Sequence, residues 1–384
     1  MRGSIIKRGT GYSVVVELGR DPQTGTRRQK WHSGYRTKRE AAAALAELIA
    51  SVNQGAYVHK TRQTLADFLS EWLVTIEPTV RPATHYSYAR NLRLHVVPHL
   101  GSLPLTGLDP GALNALYARL LTQGRKDYRG GGLSPKSVRY VHTILHRACK
   151  DAVKWGRLPR NPADAADPPR VSSSGRPDMV TWSPTELRAF LAGTSGDRLH
   201  AGYLLLATTG MRRGEALGLR WADLDLQAGR ASIRQTVIAI HHEVLFGTPK
   251  TAKGRRTVTL DAATVAALRG HRTRQHTERL TMGAGWTNLD LVLARVDGTP
   301  LHPERFSRSF TTRVTQLGLP TIRLHDLRHG WATMALSAGI HPKVVQERLG
   351  HANISITLDA YSHVTAGLHE DAAERVAGLV FDAR

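Results

Sequence analysis

The sequence predicts a multidomain chain that is mainly α-helical with small β-sheets. Three observations predict it. Apolar and polar residues alternate at Tyr12–Leu18, helical-period runs fill most of the chain after residue 63, and a stretch rich in Pro, Ser and Asp interrupts the pattern at 161–178. At 384 residues the chain is too long for one ordinary domain. The expected organisation is a three-stranded sheet with one helix over 1–60, a helical domain over 64–160, a linker over 161–178 and an α+β domain over 179–384.

The first module starts from YSVVVEL, whose alternation reads as a strand, and GRDPQTGTRRQKWHSGY, a Pro/Gly turn leading into further strand. Thr37 and Glu40 fit a capping box ahead of the helical run AAAALAELIASV. Arg27, Arg28, Lys30, Arg36, Lys38 and Arg39 dress this module, as a solvated basic face or as a small DNA-reading surface.

The helical domain carries its own punctuation. TLADFLSEWLVTI has helical spacing, a second helix is expected from Thr84 and stopped by Pro98 and Gly101, and Asp109-Pro110 and Ser134-Pro135 each place a cap before a proline in the first turn. Along the last helix Lys136, Arg139, His142, Arg147 and Lys150 interleave with apolar positions, so one stripe packs while another is free for phosphates. Ser183-Pro184-Thr185-Glu186 then opens the third domain with a capping box.

Charge narrows the function. Lys plus Arg number 53 against 31 Asp plus Glu, a net +22 that a folded chain holds most easily against a polyanion. The surplus is spread along the chain, because residues 1–60 carry 11 basic against 4 acidic residues, 61–170 carry 16 against 8, and 171–384 carry 26 against 19. That distribution suits a protein that wraps double-stranded DNA rather than one with a basic tail. No long apolar run or basic amphipathic helix points to a membrane. A single cysteine, Cys149, excludes an intrachain disulfide and a cysteine-based zinc site. The first residues lack the apolar core of a signal peptide, so the expected compartment is the cytoplasm, with the protein on DNA.

Four stretches of the third domain concentrate chemistry-bearing residues. In TTGMRRGEALGLRW, Gly210 is a helix stop, and Arg212 and Glu215 are one turn apart, an arrangement equally suited to a plain ion pair. GTPKTAKGRRTVTL reads as a hairpin from Thr248–Lys250 to Arg256–Leu260 with Lys250 near its tip. In LHDLRHGWATMALSAGI, His325 and Arg328 fall at i and i+3, on one helical face, with Trp331, Met334 and Leu336 as packing residues. In VQERLGHANISITLDAYSHV, His351 follows a helix end and Tyr361 comes ten residues later.

Together these stretches resemble the tyrosine recombinase family of phage and mobile-element integrases. Thr209–Glu215 matches the family's T-G-hydrophobic-R-x-x-E, a hairpin lysine follows, then H-x-L-R-H at His325–His329, L-G-H at Leu349–His351 and the tyrosine at Tyr361. The resemblance implies an arm-type DNA-binding domain over 1–60, found in mobile-element integrases, then a helical core-binding domain and a catalytic domain. It implies a homotetramer on paired attachment sites and leaves room for a DNA-bending or directionality factor.

The resemblance also assigns roles. Tyr361 is the nucleophile, and Arg212 and Arg328 donate to the non-bridging phosphate oxygens. His325 serves as general base, His351 as a further donor, and Lys250, or Lys253 three residues on, as general acid. Glu215 buttresses the site, and His329 could assist. No metal or other cofactor is expected, since cationic and proton-bearing side chains take a metal's place. Two other readings use the same residues differently: a type IB topoisomerase-like strand relaxer and a DNA-binding protein without cutting activity. After Tyr361, Leu368, Ala372, Val376, Leu379 and Val380 mark an amphipathic helix that would dock on a neighbouring subunit or on its own domain.

Overall fold

In this computed structural model the described residues are 3–20, 25–53, 62–171, 180–241, 243–249 and 254–351, with 353–355, 358, 377 and 381. The chain forms two compact units, Met1–Ser174 and Gly175–Arg384.

The first unit opens with an antiparallel sheet in the order β1 (Gly3–Arg8), β2 (Gly11–Arg20) and β3 (Arg27–Tyr35). Helix α1 (Lys38–Asn53) follows at the expected capping box: Thr37 Oγ1 accepts from the Glu40 amide at 3.2 Å, and the Glu40 carboxylate accepts from the Arg36 amide at 3.0 Å and the Thr37 amide at 3.4 Å. Val14, Val16 and Ala41 form the buried centre, with Ile5, Tyr12, Tyr35, Leu45 and Leu48 around it. Lys30 lies opposite Val16 and is half-buried, whereas Arg36 and Lys38 are exposed. The backbones of Arg27 and Arg28 belong to β3, and their side chains lie outside the described residues.

Five helices follow: α2 (Leu65–Ile76), α3 (Pro82–His95), the single turn α4 (Val97–Leu100), α5 (Pro110–Gln123) and α6 (Pro135–Lys154). The second starts two residues before the expected Thr84, because the fixed φ of Pro82 suits the first helical turn. Pro98 does not act as the stop either; the helix ends at His95 and Pro98 sits in the first turn of α4. Asp109 and Ser134 cap α5 and α6 through the Ala112 and Ser137 amides.

Helix α6 buries Val138, Val141, Ile144, Leu145, Ala148 and Cys149 against Trp72, Leu92, Leu116 and Tyr117, while Lys136, Arg139 and Lys150 remain exposed. His142 and Arg147 are half-buried instead, the first bonded to the Tyr117 hydroxyl at 2.9 Å and the second lying over the Tyr88 ring. The stretch beginning at residue 161 packs on this bundle: Ala163 is buried, His146 pairs with Asp164 at 2.7 Å, and the Asp167 amide donates to Asn114 at 2.7 Å.

The second unit runs α7 (Pro184–Gly193), α8 (His200–Thr209), α9 (Arg213–Leu217), β4 (Leu224–Asp225), β5 (Arg230–Ile233), β6 (Thr236–Ile240), β7 (Glu243–Gly247), β8 (Arg256–Thr259), α10 (Ala262–Met282), α11 (Pro303–Gln316), α12 (Asp326–Ser337) and α13 (Pro342–Leu349). Its core is aromatic. Phe190 and Phe310 are fully buried among Trp182, Tyr203 and Phe306, with Trp182 donating to Pro320 O at 2.8 Å and Tyr203 to Ser309 at 2.9 Å. Helix α8 is buried almost all round, which explains its lack of a polar stripe.

One expected element is corrected. The strand at Arg256 pairs antiparallel with β5, Ile233 opposite Arg256, and Lys250 lies outside the described residues. The hairpin is β6–β7, inserted between those two partners. Short strands of similar composition do not reveal their partners by pattern alone.

Replacing Phe310 by Ala should leave a cavity in the aromatic core and cost about 3–5 kcal/mol in chemical denaturation. A loss under about 1 kcal/mol would show that this cluster does not hold the unit together.

Candidate active site

Two helix ends build the site. Helices α8 and α13 both terminate on a glycine in the left-handed region, Gly210 (φ 66°) and Gly350 (φ 66°), as the sequence anticipated for Gly210 and for the L-G-H stretch. A Cβ on Gly210 would stand 2.6 Å from Leu349 Cδ2 and 3.2 Å from the Trp331 ring, so only glycine allows this approach. The final carbonyls of a helix lack intrahelical donors and carry its negative end. Here they receive guanidiniums. Arg328, only 4% exposed, donates to Gly210 O at 2.7 Å and Leu349 O at 2.8 Å. Arg212 donates to Gly350 O at 3.2 Å.

Arg212 is also the N-cap of α9, where Glu215 works twice. Its carboxylate accepts from the Arg212 amide at 3.0 Å and from Arg212 Nη1 at 2.8 Å. A residue that the motif reading passed over completes the arrangement. Arg256, at the start of β8 and 8% exposed, donates to both Glu215 oxygens at 3.2 and 2.9 Å and to Arg348 O at 2.6 Å. Burial pushes the Glu215 carboxyl up, but Arg256 and then Arg212 outweigh it and hold the group below its ordinary pKa. The carboxylate is therefore ionised at neutral pH, and two guanidiniums, those of Arg212 and Arg256, share its one negative charge.

His325 and Arg328 sit one turn apart, but they do not share one exposure: His325, at the residue before α12, is exposed, while Arg328 turns inward. The His325 ring meets His329 edge to face at 5.0 Å. Although His325 keeps an open face to solvent, the protein around it, followed by the His329 and Arg328 charges, lowers its pKa to about 4. Burial, then Arg328 and Arg212, lowers His351 to about 4 as well. Both imidazoles are neutral at pH 7 and can accept a proton. Their neighbours supply the positive charge. The arrangement can thus hold an anion with fixed guanidiniums while keeping neutral bases beside it.

Lys250, Lys253 and Tyr361 lie outside the described residues, as does the C-terminal stretch with Leu368 and Val376. Among the described residues no group of three or more His, Cys, Asp and Glu side chains could hold a metal ion. The candidate phosphate contacts Lys136 and Arg139 stand on α6 of the first unit, and Arg139 reaches Pro169 O at 3.4 Å. The sequence reading also passed over the Arg8 guanidinium, which lies 4.7 Å from the centre of the partly exposed Trp31 ring on the N-terminal sheet.

The phage integrase family profile matches residues 186–367, which span every one of the four motif stretches. The chain belongs to the phage integrase family. Its members are the tyrosine recombinases, enzymes that cleave and rejoin DNA strands. An arm DNA-binding domain profile matches residues 4–52 and the phage integrase N-terminal SAM-like domain matches 64–121. The chain is 26% identical to a tyrosine recombinase XerC-like protein of Caldanaerobacter subterraneus over 96% of both chains. It is 26% identical to the ICEBs1 integrase of Bacillus subtilis, over 96% of this chain and 97% of that one. Among solved structures, the fold matches the Tn1549 transposon integrase in complex with transposon right end DNA, with TM-score 0.67 and 22% identity over 82% of this chain and 99% of that one. It also matches a lambda integrase tetramer bound to a Holliday junction, with TM-score 0.53 and 17% identity over 91% and 96%.

The depressed pKa values carry a sign. In the DNA-free recombinase the His325 and His351 rings should stay neutral as pH falls through 6.5 and gain protons only near about 4. Imidazole NMR titration checks this; midpoints at the ordinary value of about 6.5 would contradict it.

Proposed function

We propose that the chain integrates and excises a mobile DNA element through a covalent bond between DNA and Tyr361. The observation that carries the reading is the convergence of Arg212, Arg328, His325 and His351 around two helix ends in a cluster rich in positive charge.

The chemistry follows from the charges. A phosphodiester repels nucleophiles, and its displacement gathers negative charge on the non-bridging oxygens. Arg212 and Arg328 donate to those oxygens from positions fixed before the reaction starts. Tyr361 attacks phosphorus, with His325 taking the phenolic proton, which at a pKa of about 10 does not leave unaided. His351 adds a hydrogen bond to the phosphate. The bond from phosphorus to the 5′ oxygen breaks, Lys250 or Lys253 protonates that oxygen, and a 3′-phosphotyrosyl ester remains. A 5′ hydroxyl from a partner strand reverses the attack, so the energy of the backbone bond is kept throughout.

The domains divide the DNA between them. Residues 1–60 hold the arm site through Arg27, Arg28, Lys30, Arg36 and Lys38. The helical domain holds the core site, with Lys136 and Arg139 on phosphates, and residues 179–384 carry out the cutting. Residues 161–178 join the two larger domains, with their first part packed on the helical bundle. The working unit is a homotetramer on paired attachment sites in the cytoplasm, with room for a bending or directionality factor. Supporting this assignment are the arm-domain match and the lambda integrase structure, which holds a tetramer on a Holliday junction.

A nicked suicide duplex carrying the attachment core, incubated in EDTA, tests the reading. The wild type should form a denaturation-resistant adduct on the 3′ phosphate, Tyr361→Phe should form none, and Arg212→Ala and Arg328→Ala should each cleave roughly 10²–10³-fold more slowly. Exchange of strands between two sites would exclude the solitary strand relaxer. Tight binding of the site with no adduct from the wild type would instead favour a binding protein.

A further inference from the structure

A bidentate pair between Arg212 and Glu215 alone would defeat the purpose proposed for Arg212. The two charges would cancel, and the guanidinium would meet a phosphate already neutralised. The structure resolves this through Arg256. Each Glu215 oxygen serves both arginines: Oε1 accepts from Arg212 Nη1 at 2.8 Å and Arg256 Nη1 at 3.2 Å, and Oε2 accepts from the Arg212 amide at 3.0 Å and Arg256 Nη2 at 2.9 Å. The trio carries one net positive charge. Exposure divides the labour, because Arg212 keeps 42% of its side-chain surface open while Arg256 keeps 8% and Glu215 keeps 4%. The buried partner faces the carboxylate and the open one is left for a ligand.

Arg256 also ties three chain segments together. Nε donates to Arg348 O at 2.6 Å, near the end of α13 and three residues before His351. Nη1 donates to Gly254 O at 3.3 Å, on the approach from the segment that carries Lys250 and Lys253. Through Glu215 the same guanidinium reaches Arg212. One rigid fork, with five donors in fixed directions, can satisfy a carboxylate and two carbonyls at once; a lysine cannot.

We infer that Arg256 is a positioning residue of this recombinase, which offsets Glu215's charge so that the Arg212 site keeps a net positive charge toward the scissile phosphate and which fixes the end of α13 beside it. The inference rests on the reading of Arg212 as a phosphate donor. It places no atom of Arg256 on the DNA.

The test uses the full chain, a nicked suicide duplex and saturating protein, and compares Arg256→Ala and Arg256→Lys with wild type in single-turnover cleavage, duplex affinity and Tm. Both variants should bind the duplex within about twofold of wild type, since Arg256 touches no phosphate. Cleavage should slow roughly 10²-fold in Arg256→Ala, the scale of losing one preorganised donor, and about 10-fold in Arg256→Lys, which keeps the charge but not the fork. Guanidinium at about 20 mM, a concentration where an equal amount of NaCl serves as control for screening, should restore about 10-fold to Arg256→Ala and nothing to wild type. Wild-type cleavage by either variant overturns the inference. So does a parallel loss of Tm, binding and cleavage with no response to guanidinium, because Arg256 would then be fold support only. If the wild type forms no adduct, the reading of the whole site falls and this inference with it.

Discussion

The site of the second unit depends on one interaction: the Arg328 guanidinium, almost wholly buried, held between the last carbonyls of two helices. Burying a charge is expensive unless polar groups replace its water. The carbonyl ends of α8 and α13 do that, since each presents unsatisfied acceptors at its negative pole. The left-handed glycines make the geometry possible by turning the chain away immediately after the helix. A side chain at Gly210 would meet Leu349 Cδ2 and the Trp331 ring and would be strained at that φ. Arg348 lies nearby and donates to Thr208 O in the last turn of α8 at 3.2 Å and to Thr259 O at the end of β8 at 2.9 Å.

This arrangement explains why fixed positive charge and neutral imidazoles can coexist. Arginine stays charged under any environment the fold imposes, so burial and carbonyl contacts only orient it. Histidine responds to the same environment by losing its proton, which leaves His325 and His351 as bases beside permanent cations. The chemistry of phosphoryl transfer at a tyrosine needs both. A single set of surroundings supplies the two states through the difference in intrinsic pKa between the side chains.

Local signals were legible in the sequence. The capping boxes at Thr37 and Ser183, the caps at Asp109 and Ser134, the helix end at Gly210 and the pairing of Arg212 with Glu215 all involve residues within a turn of one another. The rest depends on contacts made across long stretches of chain. Arg256 lies 41 residues from Glu215 and 92 from Arg348, and nothing in GRRTVTL marks which arginine turns inward. Likewise β5 and β8 become partners across an inserted hairpin, and spacing alone could not separate that pairing from the one expected near Lys250. The burial of Arg328 was hidden because a motif places residues on a helix without saying which side faces the core.

The most direct measurement is a crystal structure of the chain on a nicked attachment-core duplex with vanadate at the scissile position, a five-coordinate stand-in for phosphorus in flight. Tyr361 Oη should be one apical ligand of vanadium and the 5′ oxygen the other, with Arg212 and Arg328 on the equatorial oxygens. Vanadate held by another side chain, or seated away from the two guanidiniums, would contradict that placement.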